Sequence, residues 1–132
     1  IVESIYNTNP VANLKLWGKI LKRLKFDEKN QIVSLAVFKS DLENKHLSEK
    51  SLDGFVPLLT SLYEPRIIKF FTEKEGGYVK ASLRTMRNDV DVSKIAEEYG
   101  GGGHAKAAGF MTRAKIIQDK QGNWTLDTKI KK

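Results

Sequence analysis

The sequence predicts an α+β fold, a mixed and largely antiparallel sheet with helices packed on it, and three observations carry that expectation. Apolar residues recur at spacings of three and four after Pro10, two strand-length runs flank Glu75-Gly76-Gly77, and helical and strand patterns follow one another in a mixed order along the chain. With 132 residues, 40% of them hydrophobic, the chain has enough apolar material for one core, and it contains no internal repeat.

The elements follow in order. Asn9 is a good N-cap and Pro10 a good first helical residue, and Leu14, Trp17, Leu21 and Leu24 then form one apolar stripe. Leu16 and Ile20 widen it, which places Trp17 in the core rather than on a base-stacking surface. The nearly continuous apolar run from Gln31 to Phe38 predicts an interior strand. Lys39 to Ser51 is polar and reads as a surface loop, in which His46 has no partner at metal-ligand spacing. A second helix is expected from Asp53 to Leu62, with Phe55, Leu58, Leu59 and Leu62 on one face, Pro57 tolerated near the first turn, and Glu64-Pro65 closing it.

Arg66 to Phe71 and Tyr78 to Leu83 form a hairpin around the Gly76-Gly77 turn. Asp91 to Tyr99 reads as a short amphipathic helix, Ala107 to Thr112 as a strand, and Gln121-Gly122-Asn123 as a turn between Ile116-Ile117 and Trp124 to Thr128. Between the helix and the strand lies the run Gly100-Gly101-Gly102-Gly103-His104. Gly100 sits where a left-handed C-cap would end the helix. For the other three a plain hinge is one reading. An ordered turn that lets an anion approach exposed N–H groups is the other, and it is favoured because the run leads directly into His104, Ala107, Ala108 and Gly109.

Gly101-Gly102-Gly103-His104, two variable residues and Ala107-Ala108-Gly109 together resemble the signature of the DHHA1 domain of DHH-type phosphoesterases. Val79 to Arg84 resembles that family's strand ending in a Ser-x-Arg element, here Ser82 and Arg84, and Asp91 to Ala96 resembles its linking helix. Ile5 to Pro10 and the helix after it resemble the segment that joins the family's two domains. The resemblance therefore implies a linker and first helix over 1–25 and a DHHA1-like substrate-binding domain over 26–132. The family's catalytic half carries an Asp-His-His motif and aspartates that hold manganese. This sequence has only His46 and His104 and no such motif, and it begins at Ile1, so it is expected to be the C-terminal part of a longer polypeptide with no catalytic or metal-binding residue of its own.

The net charge of +7 fits a polyanionic partner, although a solvated lysine surface accounts for it equally well. Some of the excess lies at Lys15, Lys19, Lys22, Arg23 and Lys25, and some at Lys129, Lys131 and Lys132; only Arg84, Arg87 and Lys106 adjoin the glycine run. Absent cysteines exclude disulfides and thiolate metal sites and fit a cytoplasmic protein, and no apolar run is long enough to span a membrane.

The expected site is Arg84 with Gly101, Gly102, Gly103, His104 and Gly109, supported by Ser82, Arg87 and Lys106. Arginine donates two parallel hydrogen bonds to phosphate oxygens, and His104 can bind a phosphate or a base edge. The resemblance implies a holding domain for short RNA or DNA, a phosphoadenosine-type nucleotide or a cyclic dinucleotide, with the manganese-bearing DHH domain as its partner in cis. Two alternatives stand beside it. One is a nucleic-acid-binding module without hydrolytic work, as in RecJ-like or alanyl-tRNA synthetase-like DHHA1 domains. The other is a homodimerisation or interdomain packing module that uses the broad apolar face of the first helix.

Overall fold

The computed structural model describes residues 10–43, 46–52, 54–62 and 65–129. The expectations for Ile5 to Asn9, Asp53, Glu64, Lys131 and Lys132 lie outside them.

Pro10 opens helix α1 (Pro10–Lys22), which a short strand β1 (Lys25–Asp27) and the interior strand β2 (Ile32–Val37) follow. Two 3₁₀ turns, Lys39–Leu42 and Glu49–Leu52, lead to helix α2 (Phe55–Leu62), where Pro57 occupies the first turn as its missing N–H requires. Strands β3 (Ile67–Glu73) and β4 (Tyr78–Arg84) form the expected hairpin. Helix α3 (Val92–Glu98) is capped by the Asp91 carboxylate, which accepts from Ser93 N–H. Then come β5 (Gly102–His104), β6 (Ala107–Arg113) and the hairpin β7 (Lys115–Gln118) and β8 (Trp124–Asp127).

Six strands form one sheet in the order β1-β2-β3-β4-β6-β5, and β2–β3 is its one parallel pair. That pair needs a crossover, which the 3₁₀ turns and α2 supply. The α+β architecture with a largely antiparallel sheet is as the sequence predicts.

The core is divided by the sheet. On one face Leu16 and Ile20 of α1 and Phe55 and Leu59 of α2 pack on Val33, Leu35, Ile68 and Phe70. On the other, Val92 and Ala96 of α3 pack on Val79, Ala81, Leu83 and Phe110, with Ile116, Trp124 and Leu126 of the small hairpin partly buried beside them.

Two expectations are corrected. In α1, Leu14 is 66% exposed and Leu21 also faces outward, whereas Leu16 and Ile20 are buried. The expected stripe and the buried face overlap at Trp17 and Leu24, and tertiary contacts choose between them. Trp17 Nε1 donates to the Ser51 carbonyl, its ring meets Phe55 edge-on, and Arg23 is drawn to Asp41, which together set the helix rotation. The polar stretch from Lys39 is also more than a surface loop, because Asp41 and Ser51 are buried. Asp41 accepts both Arg23 guanidinium nitrogens at 2.6 and 2.8 Å and the Phe38 N–H at 2.7 Å. Burial alone would raise its pKa, but these hydrogen bonds and the charges of Arg23 and Lys19 outweigh burial and hold it below 3.8.

Candidate functional site

Residues directly opposite in neighbouring strands share a sheet face, so the register shows which site residues stand together. Ile68, Arg84, Ala107 and His104 are successive partners across β3, β4, β6 and β5. Phe70, Ser82, Gly109 and Gly102 form the next row, and Thr72, Lys80 and Met111 the one after. All belong to the face on which α1 and α2 pack, but those helices cover only its β2–β3 half. Over β4 and β6 the face is open: Met111 is 53% exposed, Tyr78 40%, and Ser82 and Arg84 are half-buried.

The sequence of β4 produces this division. In Tyr78-Val79-Lys80-Ala81-Ser82-Leu83-Arg84 the apolar residues point to the α3 core, and the polar ones turn to the opposite face. Where β4 meets the edge of α2 the structure has a groove of about 500 Å³. Lys80, Ser82 and Arg84 form one wall, Val56, Pro57 and Lys50 the other, and Phe70 and Thr72 the floor; among the described residues no carboxylate lines it.

The glycine run forms a helix end followed by an edge strand. Gly100 takes φ +85°, and the N–H groups of Gly100 and Gly101 bond back to the carbonyls of Glu97 and Ala96, which closes α3 in the Schellman manner. Gly101 and Gly103 are held to glycine by close packing. A Cβ on Gly101 would stand 2.2 Å from the Gly109 carbonyl oxygen, and one on Gly103, at φ +144°, would stand 2.6 Å from that of Ala107. Gly102 differs, because a Cβ there meets nothing within 4 Å and its φ is ordinary. Nothing among the described residues requires Gly102 to lack a side chain, and it faces the open half of the sheet.

The tip of the β5–β6 hairpin is fixed to its surroundings: Thr85 N–H donates to the Lys106 carbonyl and Val92 N–H to that of Ala105. Arg84 and His104 are thereby held on one row at opposite sides of Ala107.

The structure thus brings Ser82, Arg84, Gly102, His104 and Gly109 to one face. It puts Gly101 and Gly103 in supporting roles beneath them. Lys106 stands exposed at the hairpin tip, and Arg87 is engaged by Asp89, whose carboxyl its hydrogen bonds hold below the ordinary value. Sequence reasoning missed Lys50, Lys80 and Thr72. The strict alternation of β4 was the available signal for Lys80, while Lys50 lies 30 residues away and had none. Among the described residues no three His, Asp or Glu side chains gather where they could hold a metal ion, and no helix is long and apolar enough to cross a membrane.

Fold and groove define an α+β module whose sheet offers one uncovered, cationic half-face. The family model described as the DHHA1 domain matches residues 30–121, and the chain belongs to that family. It is 61% identical over 42 residues to oligoribonuclease NrnB of Bacillus subtilis (strain 168), a match covering 32% of this chain and 10% of that protein. It is 38% identical over 65 residues to the bifunctional oligoribonuclease and PAP phosphatase NrnA of Mycoplasma genitalium, covering 48% of this chain and 20% of that one. Among solved structures, an exopolyphosphatase-related protein from Bacteroides fragilis superposes with a TM-score of 0.68 at 25% identity, over 80% of this chain and 31% of its own. The pGpG-specific phosphodiesterase PggH of Vibrio cholerae shares the fold, with a TM-score of 0.55 at 15% identity over 77% of this chain and 33% of its own. The matched region is a tenth to a fifth of these two curated relatives' length.

Proposed function

We propose that this chain is the substrate-holding half of a DHH-type phosphoesterase that acts on short oligonucleotides or phosphorylated nucleotides. One observation carries the reading: the register lines up Arg84, Ser82, His104 and Gly102 on the uncovered half of a sheet face. Arg84 offers its guanidinium fork to a phosphate, and Ser82 and His104 add hydrogen bonds beside it. Gly102 leaves room for a ribose or base to lie against the strand. Relatives named oligoribonuclease and PAP phosphatase support a ligand of this chemistry.

On this reading the hydrolytic step belongs to a manganese-bearing DHH domain in the intact protein, and the role of this chain is to bind and orient. Arg84→Ala in the intact protein is expected to weaken substrate binding about tenfold or more while leaving the fold intact. Unchanged binding would remove Arg84 from the site. The second reading, a nucleic-acid-binding module without hydrolysis, rests on the cationic groove and the +7 charge. It requires a steep salt dependence for long nucleic acid and no preference for chain ends.

A further inference from the structure

The sheet face opposite the groove holds a charge that the proposed function does not use. Lys25, Ser34, Lys69, Leu83 and Ala108 are successive partners across β1, β2, β3, β4 and β6, on the side where α3 and the β7–β8 hairpin pack. Ser34 and Leu83, on either side of Lys69, are buried, as are Ile67 and Phe71, two residues before and after it on the same face. Lys69 is thus a half-buried lysine on an interior strand, with a largely apolar wall around its stem. β8 packs over β2 and α3 over β6, and β3 runs between those strands, so Lys69 stands near the seam of the two covers.

Burial sets this lysine apart. Every other described lysine except Lys74, in the β3–β4 turn, is exposed. Nothing nearby compensates the ammonium for the water it loses: among the described residues Lys69 has no hydrogen bond or ion pair, and the Ser34 hydroxyl already accepts from the Trp124 N–H. The surrounding elements carry charges at Lys25 on the same row, Lys94, Glu97 and Glu98 on α3, and Lys115 and Asp127 on the hairpin. None of these offsets the loss, and burial lowers the Lys69 pKa from its ordinary 10.5. The amine is not sealed in, because among the described residues the one fully enclosed side-chain polar atom without a partner is Asn13 Oδ1.

We propose that Lys69 is a nucleophilic amine and the acyl-acceptor site of this chain, modified by small acyl phosphates. A lysine that sheds its proton readily in an apolar setting is the usual form of an activated amine nucleophile. In the step, the nitrogen lone pair attacks the carbonyl carbon, the N–C amide bond forms, and the C–O bond to phosphate breaks. The ammonium gives up two protons, one to the departing phosphate and one to solvent, and nothing is oxidised or reduced. The product amide is uncharged, so the cost of holding an ammonium on this face ends with the modification. A doubly anionic donor also suits a chain of net charge +7. The groove on the other face takes no part, so nucleotide binding and acylation stand or fail separately.

Competitive labelling of the intact protein tests this. The folded protein is exposed at about pH 7.5 to a trace of acetyl phosphate, then unfolded in guanidinium chloride and fully acetylated with deuterated acetic anhydride, and the light-to-heavy ratio at each lysine is read by mass spectrometry. Lys69 is expected to carry about fivefold or more light label relative to Lys120, an exposed lysine in the β7–β8 turn. The excess should vanish when the acetyl phosphate step is run on unfolded protein. It should also narrow toward about pH 10, where the exposed amine loses its proton as well. Equal or slower labelling of Lys69 in the folded protein would mean that the strands shield the amine more than they activate it, and would overturn the proposal. An excess that survives unfolding, or that stays constant with pH, would overturn it too, since neither burial nor proton loss would then be its source.

Discussion

One face of one sheet is used in two ways. Over β2 and β3 it is apolar and sealed by α1 and α2, with Leu35, Phe55 and Leu59 wholly buried. Over β4, β6 and β5 it is polar, cationic and open. The backbone is continuous across the boundary, so the difference is written in the side chains. Ile32 to Val37 is nearly all apolar because both of its faces are covered, whereas β4 alternates strictly because only one is. Stability is concentrated in the first half, and the second is free to carry polar groups that a ligand can satisfy.

The sharpest way to break this division is to truncate one residue in each half. Phe55 touches Trp17 and Phe70 and is completely buried, so Phe55→Ala should cost about 3–5 kcal/mol of unfolding free energy. Ser82→Ala, on the open half of the same face, should stay within about 0.5 kcal/mol. Urea melts of both decide it, and comparable losses would mean that the open half is a structural surface as well.

Asp41 tests whether the covered half depends on a charge as well as on apolar packing. Asp41→Ala strips the Phe38 N–H of its acceptor, leaves the Arg23 guanidinium the Ala36 carbonyl in place of a carboxylate, and should cost about 2–3 kcal/mol, less than for a wholly buried pair because Arg23 retains some contact with water. The pH dependence has a definite sign. The folded-state pKa of Asp41 lies below its ordinary value of 3.8, so its contribution is fully present above that pH and is lost as the pH falls through the folded value. Asp41→Asn should therefore flatten the acid limb of the stability curve below about pH 4, and an unaltered limb would show that other carboxylates set it.

Much of this division was legible in the sequence. The alternation of β4 announces a strand with one wet face, and the run into Ala107-Ala108-Gly109 announces a packed strand. Two things were hidden. Local periodicity cannot place β6 between β4 and β5, and that pairing alone sets His104 and Gly102 on the row of Arg84 and Ser82. Nor does composition reveal that Asp41, in a polar stretch, is buried under Arg23, or that Lys50 meets Lys80 across a groove, because those partners are 18 and 30 residues apart and only the tertiary fold joins them.

Within the glycine run, neighbouring residues separate the two uses of the face. Gly101→Ala forces a Cβ against the backbone of Gly109 and Phe110, and neither strand can retreat without opening the β6 ladder, so it should cost about 1–3 kcal/mol. Gly102→Ala places the same methyl group in open space at an ordinary φ. Its effect on folding should stay within about 0.5 kcal/mol, and the reduced freedom of the unfolded chain favours the variant slightly. If a ligand lies against β5 beside Arg84, that methyl group occupies the ligand's space, and nucleotide affinity should fall several-fold with the melting curve unmoved. Thermal melts and nucleotide titrations of the two variants together decide the matter. A Gly102→Ala protein that melts and binds like the parent would leave the open side of β5 outside the site and confine the ligand to the groove between β4 and α2.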